Sequence, residues 1–207
     1  MADSARPNGK LTTGGVGGIL LCAAFALFLV SGGLGMGGMQ AAGGLGLIGM
    51  ILLIGGGICA AMGFFGLGKV YGGTNGIGGL FTLLMGIMPV VLLIVGIIFA
   101  SAASASTISE GGARAAGGIV MIFGIVFVVS IALAGILGGL GIMGAKASLA
   151  KPAGILLLVG GVGALLSILA GFGVLPASIA QILGYVVSGG FAAGFLLAGI
   201  TMFAERA

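Results

Sequence analysis

A chain of 207 residues that is 60% hydrophobic and only 5% charged cannot cover a globule with polar surface; soluble domains carry about 25% charged residues. The formal net charge of +4 comes from seven basic residues scattered singly, which form no patch for nucleic acid. The absence of histidine removes haem b ligation and the commonest general base.

Crossing the hydrocarbon takes roughly 20 apolar residues in a helix, and lipid demands that every backbone hydrogen bond be satisfied internally. Runs such as Val90 to Ala100 are apolar on every side, unlike the alternating strands of a barrel. The reading is an all-α integral membrane protein with transmembrane helices near 15–36, 41–66, 77–102, 114–144, 153–175 and 179–203. Residues 1–14 and 204–207 are read as tails flanking the membrane domain 15–203.

Arg6 and Lys10 precede the first span. A secretory signal would end at a small-residue cleavage site, whereas this run passes into a glycine-rich stretch and reads as a retained helix. Small residues stand four apart on it, Gly14 with Gly18 and Gly33 with Gly37, and on the second span, Ala42 with Gly46 and Gly57 with Ala61. Such spacing lets membrane helices approach closely. Gly44-Leu45-Gly46-Leu47-Ile48-Gly49 satisfies GxGxxG, but no strand, helix start or downstream acid accompanies it, so packing is its role. The run Gly32 to Gly49 fails a comparison with the proteolipid hairpins of rotary ATPases, because no span carries a carboxylate. Cys22 and Cys59 lie in apolar helices without a CxxC pattern and read as small hydrophobes.

Pro89, inside the third span, removes the hydrogen bond to the Met85 carbonyl and predicts a kink. The loop Ala103 to Ala113 leads into Glu110 and Arg114, an i, i+4 pair suited to a salt bridge or to contact with an outer partner. Ser130, Ala134 and Gly138 extend the small-residue spacing along the fourth span. Pro152 suits the first turn of the fifth. Ser178 and Gln181 have capping-box spacing at the start of the sixth. Gln181, Tyr185 and Ser188 share a face there and, with Pro89, make the candidate polar path or partner contact. Gly190, Gly194 and Ala198 complete the stripes.

Arg6, Lys10, Lys69, Lys146, Lys151 and Arg206 fall on one side of the membrane and only Arg114 on the other, which predicts both termini in the cytoplasm. The compact build suggests a bacterial inner membrane. Three segments open alike, Gly17-Gly18-Ile19-Leu20, Gly78-Gly79-Leu80-Phe81 and Ala153-Gly154-Ile155-Leu156, the first two offset by 61 (78 minus 17). Ala41-Ala42-Gly43-Gly44 matches Ala115-Ala116-Gly117-Gly118 at an offset of 74 (115 minus 41). Three parallel-repeated helical hairpins account for both.

The acids Asp3, Glu110 and Glu205 are dispersed, so no catalytic pair, metal site or cofactor is expected. A bound lipid, carotenoid or quinone needs only an apolar groove and is compatible with this composition. The function expected is that of a non-catalytic structural or accessory subunit, packing through glycine-rich faces against other membrane subunits or copies of itself. The alternative is a channel or transporter for a small neutral solute or lipid.

Overall fold

The computed structural model describes residues 8–30, 43–104 and 110–205, and among them every regular element is an α-helix. The helices are α1 (Asn8–Val30), α2 (Gly43–Tyr71), α3 (Thr74–Ser104), α4 (Glu110–Ile142), α5 (Ala150–Gly171) and α6 (Ala177–Ala204). All six are long and apolar enough to cross a membrane. Several of them extend past the hydropathy limits, because a helix continues into the polar boundary where hydropathy has already fallen, whereas α4 and α5 stop short at Ile142 and Gly171. Asn8, Thr74 and Tyr71 are such end residues. Pro152 stands in the first turn of α5, as its geometry favours, and α3 runs as helix through Pro89.

Each helix packs on its neighbours in the chain, and α6 closes against α1, making an up-and-down ring. Within it α1/α2, α3/α4 and α5/α6 are three hairpins that turn at one end, here the far end. The other end carries the lysines Lys10, Lys69, Lys146 and Lys151 and is here the basic end. There α2 passes to α3 through Gly72 and Gly73, whose φ of 71° and 58° suits residues without a Cβ. The α4–α5 turn closes the same end through the Gly144 and Ala145 amides, which donate to Gly141 and Ile142 carbonyls.

Glycine pairs set the seams of the ring. A Cβ on Gly14 would overlap the Gly63 backbone, and one on Gly17 the backbone of Ala60, so α1 and α2 meet main chain to main chain. Across the other seams a Cβ on Gly57 would lie 2.7 Å from Gly86 Cα, one on Gly78 2.7 Å from Gly138 Cα, and one on Gly135 2.9 Å from Gly161 Cα. On α6 a Cβ on Gly190 would come 3.2 Å from Gly160 N, and one on Gly199 2.7 Å from the Gly15 carbonyl oxygen. Successive residues on a helix lie about 100° apart, and a helix in a ring touches two neighbours at a similar angle. Doublets exploit this. Gly17 faces α2 while Gly18 faces α6; Gly78 faces α4 while Gly79 faces α2; Gly160 meets Phe191 of α6 while Gly161 meets α4.

The axis of the ring is filled. Phe25, Phe64, Phe191 and Phe195 are fully buried. Phe25 stacks on Phe191 and Phe195 at centroid separations of 4.9 and 5.9 Å, and Phe191 on Phe195 at 5.7 Å. On α3 the buried positions run from Asn75 to Pro89 and then stop. Those 14 steps (89 minus 75) span about 21 Å at 1.5 Å each, against about 30 Å of hydrocarbon. The described segments 90–98, 117–126, 165–171 and 177–186 contain no buried residue. Ile119, Val120, Met121 and Ile122 are exposed in succession, so α4 is uncovered on every side over this turn.

Candidate functional site

Two groupings of polar side chains stand out from this apolar ring. The first lies at the basic end, where Glu205 caps α6. Its Oε2 accepts a short hydrogen bond from the Tyr71 hydroxyl, and its Oε1 accepts one from the Ala147 amide at 2.7 Å. One carboxylate thus joins the last residue of α2, the α4–α5 turn and the end of α6. A carboxylate at a helix C-terminus opposes the helix dipole, and these donors offset that cost. The chain order puts Tyr71 and Glu205 far apart, and residues 204–207 read in sequence as a tail. Only the ring brings the two together.

Asn75 lies one turn inward, 2% exposed, at the α3/α4 seam. Its Nδ2 donates to the Gly141 carbonyl at 3.1 Å, while its Oδ1 is buried without a partner. Where α1 and α2 meet through Gly14 and Gly63, α3 and α4 meet through Asn75 and Gly141, whose added Cβ would lie 2.9 Å from Asn75 N.

The second grouping is the candidate path of the sequence, which the structure separates. Gln181 and Tyr185 are exposed on the far end of α6, joined by a long Nε2-to-hydroxyl contact of 3.4 Å. Ser188 continues their stripe inward and is fully buried, with its Oγ unpartnered. Thr13, Thr82, Ser130, Ser167 and Thr201 each donate back to the carbonyl four residues earlier. Pro89 is buried on α3, which two helices separate from α6 in either direction round the ring. The capping box does not form. Pro176 is the N-cap of α6 and Ser178 is already in its first turn, because the proline at the turn fixes where the helix starts.

Of the small residues singled out by spacing, Gly14, Gly18, Gly57, Ala61, Ser130, Ala134, Gly138, Gly190, Gly194 and Ala198 are all buried within the chain. Gly33, Gly37 and Ala42, and the surroundings of Gly46, lie outside the described residues, as do the side chains of Glu110 and Arg114. Spacing by four missed Gly17, Gly63, Gly78, Gly86, Gly135 and Gly161, which face their partners just as closely. The signal that marks several of them is the doublet, not the stripe.

Among the described residues no group of histidine, cysteine or acidic side chains could hold a metal ion. No protein-family model, curated protein or solved structure matches this chain.

Proposed function

We propose that this protein is a non-catalytic structural or accessory subunit of a larger membrane assembly, its basic end and both termini in the cytoplasm. The observation that carries the reading is the uncovered far end. Segments 90–98, 117–126, 165–171 and 177–186 contain no fully buried residue, with Leu92 and Phe123 half-buried against the core, although the same helices pack backbone to backbone nearer the basic end. In lipid, helices associate through van der Waals packing rather than water exclusion, so helix ends packed this loosely in their own fold have contact left to give to a neighbour. The glycines now support a narrower role than their number suggested, since those described at the seams serve the ring itself.

We read the three hairpins as copies of one unit. Support comes from a shared register. Gly18, Gly79 and Gly154 each face the second helix of the preceding hairpin, and Gly17, Gly78 and Ala153 beside them are likewise buried. Ile19, Leu80 and Ile155 follow, all exposed. The register continues through Leu21, Thr82 and Leu157 to Phe28, Pro89 and Ala164, every one buried.

Photocrosslinkers at Ile97, Ile122 and Ile182 test the assembly reading, with Ile58 and Ile200 nearer the basic end as controls. The far-end sites are expected to trap one protein at a defined stoichiometry in native membranes. Lipid adducts alone, with a monodisperse monomer in mild detergent, would remove the proposal. A reporter fused to the C-terminus checks orientation and is expected inside the cell. The second reading, transport of a neutral solute or lipid, draws on the lone hydroxyl of Ser188. The stacked rings on the axis weigh against a straight aqueous pore.

A further inference from the structure

The first hairpin carries two lysines at its basic end, Lys10 on α1 and Lys69 on α2. Both gather round Gly66. An added Cβ there would lie 3.2 Å from Leu11 Cδ2 and 3.3 Å from Lys10 Cβ. Gly14 and Gly17 of the same seam meet a backbone, whereas Gly66 makes room for the stem of a lysine. Lys69 follows Gly66 by three, and Cβ positions three apart on a helix lie about 5–6 Å from each other, so the two lysine stems start within about 9 Å of one another. Each then carries its ammonium on a flexible four-carbon arm.

Neither ammonium has a carboxylate to meet among the described residues. Glu205 is the one acid whose side chain is described, and its oxygens are taken by the Tyr71 hydroxyl and the Ala147 amide. Lys69 points away from that contact, because residues two apart on a helix diverge by about 200° and Tyr71 packs on the core. Lys69 is exposed and Lys10 half-buried. The surface beside and inward of them is apolar. Val70 is 55% exposed, and Met62, two turns inward of Lys69 on the same face, 39%. The Thr13 hydroxyl turns back to the Gly9 carbonyl at 2.9 Å. The second hairpin is closed at this level by the neutral Asn75, which donates to the Gly141 carbonyl. Lys146 and Lys151 are exposed at the connection between the second and third hairpins, not within one.

We propose that Lys10 and Lys69 together hold the headgroup of an anionic phospholipid at the basic end of the α1/α2 seam. A lysine stem laid along apolar surface carries its charge out to the headgroup level, and basic groups between membrane helices take anionic headgroups. The site asks for charge and hydrocarbon in one molecule. A phosphate meets the two ammoniums, and acyl chains cover Met62 and Val70. A soluble anion or an acidic peptide matches the charge alone. A lipid held here is independent of any partner at the far end.

The test uses the full chain in phosphatidylcholine nanodiscs containing a small fraction of spin-labelled phosphatidylglycerol. The immobilised share of the label is compared with that of spin-labelled phosphatidylcholine. The unsubstituted protein is expected to prefer phosphatidylglycerol roughly tenfold, and Lys10→Gln with Lys69→Gln to bring the two lipids level. Lys146→Gln with Lys151→Gln removes the same charge elsewhere on the same end and is expected to leave the preference in place. Lys10→Arg with Lys69→Arg should keep it too. Lys69→Gln alone, at an exposed position, is expected to lower the preference about threefold, and it decides the matter if the double variant does not fold. Equal loss in the two double glutamine variants would mean diffuse surface charge and overturn the site. So would a preference that survives Lys10→Gln with Lys69→Gln, or none in the unsubstituted protein. Displacement of the labelled lipid by inorganic phosphate would assign the lysines to a soluble phosphate and overturn the lipid.

Discussion

The two ends of the ring solve the problem of helix association in opposite ways. Near the basic end, facing glycines bring backbones into contact, aromatic rings fill the axis, and a carboxylate ties three segments together. Toward the far end the same helices carry bulky Ile, Leu and Val, and Gly96, Gly117 and Gly118 meet nothing within 4 Å. The difference teaches that glycine content alone does not predict packing in a membrane protein. A glycine contributes only where the opposite helix presents a backbone or a ring to receive it, as Phe28 does for Gly49, and Gly96, Gly117 and Gly118 have no such partner among the described residues.

The sharpest way to break the contrast is to fill one seam. Gly17→Leu, placed against the Ala60 backbone, is expected to cost about 3 kcal/mol or to prevent folding, because main chain cannot move aside as a side chain can. Gly118→Leu at the far end is expected to change stability by less than about 0.5 kcal/mol. Thermal unfolding in detergent compares the two, and equal losses would erase the distinction between the ends. Next comes Phe191→Ala, which empties the axis where Phe25 and Phe195 stack, and is expected to cost about 3 kcal/mol. Ile122→Ala, at a position 62% exposed, should have almost no effect in the same melt.

A smaller effect is expected from Glu205→Ala, which removes two hydrogen bonds to a carboxylate, together about 2 kcal/mol. Hydrogen exchange at the Ala147 amide reads this locally. Protection is expected to fall there and to persist at amides within α1. The smallest is Ser188→Ala. A buried hydroxyl without a partner carries a desolvation cost, so its removal should be neutral or stabilising by about 1 kcal/mol in the same unfolding assay. A clear loss of stability would show that the hydroxyl has a partner in the membrane.

Six helices were legible because stretch length and hydropathy reflect the bilayer itself, whatever the helices then do with one another. Of the small residues four apart, all ten that are described are buried. What spacing by four could not convey is that a ring helix has two neighbours. Gly18 and Gly14, read as one stripe, face α6 and α2 respectively. The Tyr71–Glu205 bond was hidden for a related reason: its members are 134 positions apart and meet only because the ring closes. That Pro89 and Ser188 stand two helices apart round the ring was not legible either, because a face shared on one helix says nothing about which helix stands opposite.

The glycine doublets also decide where this chain can gain or lose residues. A single insertion inside a helix would turn everything beyond it by about 100°, sending each doublet to the wrong pair of neighbours simultaneously. Length can change freely only between helices, and the two basic-end connections already differ, Gly72 and Gly73 in one and 143–149 in the other. Scope for changing what the chain can touch is thereby confined to the two surfaces of the bilayer.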